Sequence, residues 1–292
     1  MACLGMVYIM KTVVITGASS GIGFETARLL SKNYSVIGIG HNKSNCERAK
    51  GLIKSENPNA DVIYFVADLI QQNEVNRVAD EVASYIESFR ESELYGLINN
   101  AGCVRSWYTT SEEGYEQQFS LNHLAGFLLT YRLLPFIIKA KGRIIMTGSQ
   151  SHKGIKMRWD DVMLRKRYNP LTAYKQSKLC NILFAKGLND KFFNTGIRAY
   201  VVDPGLVKTD IGNKYTGGLV SFIWSIRKKG GVSPEVPAKT YEFLLNRQPA
   251  PTGLYYNQCK EKEYSRQVTD KNADRLFMLS QELCGISYDR QD

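Results

Sequence analysis

Short apolar segments alternate along the chain with longer segments whose apolar residues recur at helical spacing. The short segments are rich in β-branched residues, which is typical of buried strands, and lie at 11–16, 34–40, 61–67, 94–98, 142–147, 197–202 and 253–256. The longer segments predict amphipathic helices at 24–32, 42–56, 74–89, 114–138, 237–245 and around 171–188.

This regular alternation favours an α/β fold. We expect one doubly wound parallel sheet of about seven strands, with helices on both faces and right-handed crossovers. No repeat or linker divides the chain. We therefore predict a short N-terminal extension at 1–10, one domain at 11–260 and a C-terminal segment at 261–292.

Two long segments interrupt the alternation. The first, 151–170, separates the fifth strand from the helix that follows it. The second, 206–232, follows the sixth strand, and its stretch 219–224 is rich in large apolar side chains. This stretch either covers a lipophilic substrate as a lid or packs on the core or on another subunit.

The composition is ordinary for a globular protein, with 292 residues that are 43% hydrophobic and 23% charged. No apolar run approaches the roughly 18 residues that we expect of a membrane-spanning helix, and the apolar start lacks the basic flank of a signal peptide. None of the six cysteines forms a C-x-x-C pair, which argues against a metal site or a disulfide framework. We therefore expect reduced thiols and a cytoplasmic location.

The net charge of +10 is spread along the chain, with local clusters at 165–167 and 227–229. Because no helix-turn-helix or zinc-finger pattern accompanies this charge, we expect anionic ligands rather than a nucleic acid. The cluster at 227–229 is either a solvated charge run or a point of peripheral membrane contact.

Tyr174 and Lys178 are the first candidates for chemistry. They stand four residues apart in a predicted helix, so their side chains project from the same face. An ammonium group beside a phenol stabilises the phenolate and lowers the pKa of the phenol, which lets a tyrosine exchange protons near neutral pH. Taken alone, the same spacing also fits a half-exposed helix with a chance pair.

Glycines 17, 21 and 23 lie between the first strand and the first helix. Backbone N–H groups at a helix N-terminus bind phosphates, and glycines leave room for them to approach. The turn therefore predicts a dinucleotide site, although its G-x-x-x-G-x-G spacing differs from the G-x-G-x-x-G fingerprint.

The end of the second strand bears on the choice of cofactor. It lacks the carboxylate with which an NAD enzyme usually binds the ribose 2′-hydroxyl. His41 and Lys43 follow instead, with Ser20 nearby, and either cation could attract a 2′-phosphate. We therefore expect NADP, unless His41 and Lys43 are simply solvated loop residues.

Further polar residues lie at the ends of the predicted strands. Asp68 ends the third strand, where it could bind an adenine, and the segment 99–102 could line a ribose. Ser149 follows the fifth strand, at the carboxyl edge where open α/β sheets bind ligands. Asn122 lies in an otherwise apolar helix, as a packing residue or as the holder of a water molecule.

Several of these motifs occur in a characteristic order: TGASSGIG at 16–23, NNAG at 99–102, Asn122, Ser149, Tyr174-x-x-x-Lys178 and Pro204-Gly205. Over roughly residues 11–256 the chain thereby resembles the short-chain dehydrogenase/reductase family. The long spacing from Ser149 to Tyr174 and the segments 119–130 and 173–188 are similar to its retinol-dehydrogenase-like branch, with which light-dependent protochlorophyllide reductases share features. His41 stands where that branch usually has an arginine.

The resemblance implies a Rossmann-like fold and a catalytic set of Asn122, Ser149, Tyr174 and Lys178. Tyr174 would exchange a proton with the substrate oxygen, which Ser149 would bind. Lys178 would lower the Tyr174 pKa and bind the nicotinamide ribose, and Asn122 would hold a relay water. The implied cofactor-binding residues are Gly17, Ser19, Ser20, Gly21, Ile22, Gly23, His41, Lys43, Asp68, Leu69, Asn100, Ala101, Gly102, Tyr174, Lys178, Pro204, Gly205, Val207 and Thr209.

These expectations combine into an NADP(H)-preferring oxidoreductase without a metal. It would transfer a hydride between nicotinamide and a carbonyl or alcohol of a lipophilic substrate, such as a steroid or retinoid, and we expect a homo-oligomer. A non-catalytic NADP-binding regulatory protein and a reductase of a ring carbon–carbon double bond are the alternatives.

Overall fold

The computed structural model describes residues 10–207 and 231–288. The extension at 1–9, the apolar stretch 219–224, the basic cluster 227–229 and Thr209, all singled out above, lie outside the described residues.

The centre of the fold is a single sheet. Its strands are β1 (Thr12–Thr16), β2 (Ser35–Gly40), β3 (Val62–Val66), β4 (Gly96–Asn99), β5 (Arg143–Thr147), β6 (Arg198–Val202), β7 (Tyr255–Asn257) and β8 (Lys260–Glu261). Their order is β3-β2-β1-β4-β5-β6-β7-β8, and every neighbouring pair is parallel except β7 with β8. The predicted doubly wound parallel sheet is confirmed, and the two-residue antiparallel β8 is an addition to the seven predicted strands.

The helices of the described residues connect these strands. They are α1 (Gly21–Leu30), α2 (Lys43–Glu56), α3 (Gln72–Phe89), α4 (Gln117–Lys139), α5 (Pro170–Lys191), α6 (Glu235–Asn246) and α7 (Asp270–Cys284). The predicted helices are confirmed with small shifts of their ends, and α1 begins at Gly21 rather than at residue 24. Helix α7 was not predicted.

Helices cover both faces of the sheet and enclose two hydrophobic cores. On one face, α3, α4, α5 and α7 pack over side chains such as Leu97 and Ile144. On the other face, α1, α2 and α6 pack over Val13 and Ile98. Because the central strands are covered on both sides, their residues are apolar in succession rather than alternating with polar ones.

The strand order determines where a ligand can bind. The chain runs outwards from β1 to β3 and then returns to place β4 on the other side of β1. The crevice beyond the carboxyl ends of β1 and β4 is therefore the topological switch point, where α/β sheets of this kind bind ligands.

The start of α5 is fixed by local chemistry. The side chain of Asn169 accepts a hydrogen bond from the backbone N–H of Thr172 at 3.0 Å, and Pro170 occupies the first helical position. Both residues favour a helix start here, because the cap satisfies a free N–H group and proline lacks one. Helix α5 carries Tyr174 and Lys178, so this cap sets the point from which they project.

Helix α7 packs closely against α5 through Phe277. The Phe277 ring is 1% exposed, and its centroid lies 5.8 Å from that of Phe184 and 4.8 Å from that of Tyr288. A Cβ atom added to Gly187 of α5 would lie only 2.8 Å from the Phe277 ring. The C-terminal helix is therefore part of the same core as the sheet.

We expect Phe277→Ala to lower the free energy of unfolding by about 3–5 kcal/mol, because it removes a buried ring and leaves a cavity between α5 and α7. Chemical denaturation measures this change. The control is Met278→Ala, since the neighbouring Met278 side chain is 63% exposed and its loss should have little effect. Equal effects of the two substitutions would contradict the packing described here.

Candidate active site

The glycine turn after β1 is built for close approach to another group. Gly17 and Gly21 have φ angles of +67° and +56°, which residues with a side chain rarely adopt. A Cβ atom on Gly17 would lie 3.0 Å from Nδ2 of Asn100 and 3.1 Å from Cα of Ala101. The side chain of Ser20 does not cap α1, so the helix begins with backbone N–H groups that can face an anion.

The loop after β4 is tied to this turn through Thr16. The Thr16 hydroxyl oxygen accepts hydrogen bonds from the backbone N–H groups of Asn100 and Ala101, each at 2.9 Å. In return, Nδ2 of Asn100 donates to the Thr16 carbonyl at 3.1 Å. Sequence reasoning identified the glycine turn and the Asn100 loop but missed Thr16, which holds the two together.

The residues after β2 are suited to an anion. His41 and Lys43 are exposed, as is Ser20, whereas Ser19 is buried against Gly40 and Cys46. Asn42 caps α2 by accepting the N–H of Asn45 at 2.9 Å, and the first turn of α2 contains no acidic residue. This corner therefore combines the cationic side chain of Lys43 with the positive end of a helix.

The residues after β3 occupy two different environments. Asp68 is exposed, and its carboxylate accepts the backbone N–H of Ile70 at 3.2 Å. Leu69 is buried and lines a cavity of about 10 Å³ together with Asn99, Ala101 and Asn122. The cavity is comparable in size to one water molecule, and the buried Oδ1 of Asn99 has no hydrogen-bond partner within the described residues.

Asn122 lies in a π-helical turn, Ser120–Leu124, within α4. Its Oδ1 accepts the N–H of Cys103 at 2.7 Å, while its Nδ2 donates to the Cys103 carbonyl at 3.1 Å and to the Ser177 hydroxyl at 2.9 Å. Both amide hydrogens are thus engaged. In this structure the Asn122 side chain connects the loop after β4 to α5, and a water at this position could be bound only by an acceptor atom such as Oδ1.

Lys178 is buried at the centre of the site. Its Nζ donates to the Thr147 carbonyl at 3.0 Å and lies 5.6 Å from the centroid of the Tyr174 ring. A Cβ atom on Gly102 would be 3.6 Å from the same nitrogen. Burial disfavours the charged ammonium and lowers the pKa of Lys178 to about 8, against the smaller opposing effects of Cys103 and Asp203.

Ser149 begins the 3₁₀ turn Gln150–Gly154 just beyond β5. Its hydroxyl oxygen accepts hydrogen bonds from the hydroxyl and the backbone N–H of Ser151, at 3.0 and 3.3 Å. Both contacts use acceptor sites, so the Ser149 O–H remains able to donate to another oxygen.

His152, which sequence reasoning missed, fixes the backbone of Ser149. Its Nδ1 lies 2.6 Å from the Ser149 carbonyl oxygen, and its Nε2 accepts the backbone N–H of Ser265 at 3.1 Å. These partners assign the proton to Nδ1, because the carbonyl only accepts and the N–H only donates. Burial also lowers the pKa of His152, which favours this neutral form.

The segment after β6 lies next to the Ser149 segment. Gly205 has a φ angle of +71°, and its N–H donates at 2.9 Å to the carboxylate of Asp203, a buried residue that was also missed. Pro204 is half-buried between them, and Val207 forms a bridge with Val232.

All the described candidate residues outside α4 and α5 therefore follow the carboxyl end of a parallel strand, from β1 to β6. Because these ends share one edge of the sheet, the topology brings them to one region. Helix α4 adds Asn122 and helix α5 adds Tyr174 and Lys178 to the same region. The cradle of glycines and helix N-termini at this edge fits a dinucleotide.

The chain is similar to known proteins over nearly its whole length. Residues 11–218 match the short chain dehydrogenase family. Retinol dehydrogenase 12 of Mus musculus is 34% identical over 96% of this chain and 88% of its own length. Retinol dehydrogenase 13 of Homo sapiens is 33% identical over 94% of this chain and 85% of its own length.

Solved structures share the fold. An uncharacterised protein from Mycobacterium paratuberculosis matches with a TM-score of 0.72 and 27% identity, covering 96% of both chains. An NADPH-bound carbonyl reductase from chicken fatty liver matches with a TM-score of 0.65 and 21% identity, covering 87% of this chain and 99% of that one. These structures and the family match agree on the fold.

The expectation of a cytoplasmic location is wrong. The two curated relatives named above are retinol dehydrogenases, and they do not support a purely cytoplasmic location. Helix α4 is also long and apolar enough to cross a membrane by length and composition. The sequence expectation that no segment reaches this length and hydrophobicity is therefore wrong. In the fold, 67% of its most apolar window is buried, as in a core helix.

The ordered motifs, the glycine cradle and the matched sequences agree. The chain belongs to the short-chain dehydrogenase/reductase family of oxidoreductases, in the branch that includes the retinol dehydrogenases.

Proposed function

We propose that the protein is an NADP(H)-preferring oxidoreductase that interconverts a carbonyl and an alcohol on a lipophilic substrate, with Tyr174 as the general acid and base. One observation carries the proposal. The buried ammonium of Lys178 lies beside the Tyr174 ring at the carboxyl edge of the sheet, next to the loop that Thr16 ties to the glycine turn.

The protein side chains would move the proton. In reduction, Tyr174 gives its phenolic proton to the oxygen of the developing alkoxide, and in oxidation it accepts the alcohol proton. The positive charge of Lys178 stabilises the phenolate form of Tyr174. The free O–H of Ser149 donates to the substrate oxygen and stabilises the charge that develops there.

A nicotinamide cofactor, when bound, supplies or accepts the hydride. The glycine turn at residues 17–23 would bind its phosphates through backbone N–H groups. The loop Asn100–Gly102 and Lys178 would bind ribose hydroxyls, and Asp68 with Leu69 would contact the adenine. Pro204, Gly205 and Val207 would contact the nicotinamide, and Thr209 joins them by sequence motif alone.

The preference for NADP follows from the corner after β2. His41 and Lys43 are exposed there at the start of α2, and the first turn of that helix has no carboxylate to repel a 2′-phosphate. A phosphate would gain a charge-assisted hydrogen bond from Lys43 and the favourable dipole of the helix start.

The proposed substrate class is supported by the two curated relatives named above, which are retinol dehydrogenases. We propose a retinoid or a similar lipophilic alcohol or aldehyde, and all-trans-retinal with NADPH is the first pair to assay. Most of the segment 206–232, which the sequence indicates as either a lid or a packing segment, lies outside the described residues.

We expect Tyr174→Phe to lower kcat at least about tenfold, because it removes the proton donor and with it about 1.4 kcal/mol or more of transition-state stabilisation. Steady-state oxidation of NADPH by all-trans-retinal measures the change. Tyr34→Phe is the control, since the Tyr34 hydroxyl bonds Asn246 far from the site. Wild-type kcat in Tyr174→Phe would contradict the assigned role.

We expect Lys43→Glu to raise the Kd for NADPH roughly tenfold and to leave the Kd for NADH nearly unchanged, because only NADPH carries the 2′-phosphate. Fluorescence titration of both cofactors measures the effect. Lys54→Glu makes the same change of charge at the other end of α2 and is the control. A wild-type preference for NADH would refute the NADP assignment.

The buried ammonium also predicts a dependence of stability on pH. Lys178 has a pKa of about 8 in the folded protein, against 10.5 for an ordinary lysine. Between these two pKa values Lys178 binds a proton more readily in the unfolded chain than in the folded protein. The free energy of unfolding therefore increases as the pH rises through this range. At neutral pH the folded protein therefore carries the full cost of burying a charge.

We expect the change in the free energy of unfolding caused by Lys178→Met to be about 2 kcal/mol more favourable at pH 7 than at about pH 10. Urea denaturation of the wild type and the variant at both values measures it, and effects of other titrating groups cancel in the comparison. Lys175→Met, at a half-exposed position of α5, controls for the loss of a lysine. A difference that is absent or of opposite sign would contradict the lowered pKa of Lys178.

A further inference from the structure

Two side chains of α5 donate to the same backbone oxygen. Lys178 Nζ and Asn181 Nδ2 each lie 3.0 Å from the carbonyl oxygen of Thr147, the last residue of β5. They stand three residues apart, so they reach this oxygen from one face of the helix. Both side chains are almost completely buried, at 3% and 1% exposure.

This sharing limits the positions open to the ammonium. A carbonyl oxygen has two lone pairs, and Asn181 occupies one of them. Lys178 is thereby confined to the other, and its two remaining N–H groups are free to face Tyr174 and a ribose. The Thr147 residue is itself held in place, since its hydroxyl lies 2.7 Å from that of Tyr241.

Asn181 has a second buried neighbour, His123. Burial lowers the pKa of His123 to about 3, and Asn181 opposes this shift, which places the amide beside the imidazole. Within the described residues, neither Nδ1 of His123 nor Oδ1 of Asn181 has a hydrogen-bond partner of good geometry. With its proton on Nδ1, His123 would be a donor, and Oδ1 of Asn181 would be the matching acceptor of a hydrogen bond.

The other ring nitrogen supports this choice of tautomer. Nε2 of His123 lies 2.8 Å from the hydroxyl oxygen of Ser280 in α7. If Ser280 donates to Nε2, the proton of the neutral ring is on Nδ1 and points towards Asn181. The rings of Phe119 and Phe184 flank His123 at 5.3 and 6.0 Å between centroids, so the imidazole is enclosed.

We propose that Asn181 is a positioning residue that holds Lys178 at the Thr147 carbonyl, and that a hydrogen bond between His123 and Asn181 extends this support to Ser280. Through this chain the C-terminal helix α7 supports the position of Lys178. The proposal rests on the role of Lys178 in the proposed function.

The test compares Asn181→Leu with Asn189→Leu. Leucine has the same branched arrangement of side-chain heavy atoms as asparagine, and it removes the donor to Thr147. Asn189 is the matched control, because it lies on the same helix and its amide bonds the backbone of Ala199 in β6 at 2.8 Å, away from Lys178. The measurements are the Kd for NADPH, by fluorescence titration, and kcat and KM with all-trans-retinal.

We expect Asn181→Leu to raise the Kd for NADPH and to lower kcat, each by roughly three- to tenfold, because the loss of the buried hydrogen bond from Asn181 to Thr147 frees Lys178 to shift. Asn189→Leu should lower the melting temperature without changing the Kd. If Asn181→Leu changes only the melting temperature, as its control does, the positioning role is refuted.

Ser280→Ala serves as a second, milder variant if Asn181→Leu does not fold. It removes one hydroxyl in α7 and should raise the Kd for NADPH about twofold or more, and an unchanged Kd would count against the chain of contacts. Lys178→Met separates the two proposals. If that variant binds NADPH and turns over like the wild type, the proposed function itself fails. If Lys178→Met loses binding and turnover while Asn181→Leu keeps both, only the positioning role is refuted.

Discussion

The buried hydrogen bond from Lys178 to the carbonyl of Thr147 is the contact on which the rest of the site depends. It attaches α5 to the end of β5, and it holds a positive charge beside the ring of Tyr174. An ammonium buried in this way is costly, as its lowered pKa reflects. A protein tolerates such a cost most readily where the strained charge serves function.

The surroundings of Lys178 fix its position from several sides. Asn122 ties the loop after β4 to Ser177, the residue before Lys178, and Thr16 ties the same loop to the glycine turn. A displacement of α5 would thus disturb both the expected phosphate cradle and the expected proton donor. This coupling explains why residues from six strand ends and two helices can act as one site.

Much of this arrangement could be predicted from the sequence because its signals are local. Glycine spacing, the i, i+4 pair of Tyr174 and Lys178, and the alternation of strands and helices are all read within short windows. Thr16, His152 and Asn181 were missed, since their roles depend on partners that only the fold brings near. The contacts of Asn122 could not be predicted for the same reason, because its partner Cys103 lies on another segment.

Two further differences have physical causes. Helix α7 has an apolar face that anchors on α5, but its sequence lies beyond the last predicted strand and carries no motif. Helix α4 is apolar because it lies within the core, and its composition alone does not distinguish a core helix from a membrane span. The apolar character of α4 alone therefore does not indicate where in the cell the protein is located.

The most direct test of the account follows deuterium from the C4 position of NADPH in a single turnover with all-trans-retinal. Mass spectrometry of the product, with both stereospecifically labelled forms of the cofactor, shows which hydrogen is transferred. The account predicts retinol that carries one deuterium from one labelled form only, formed faster by the wild type than by a variant without the Tyr174 hydroxyl. Unlabelled retinol, or binding of NADPH without any product, would contradict it.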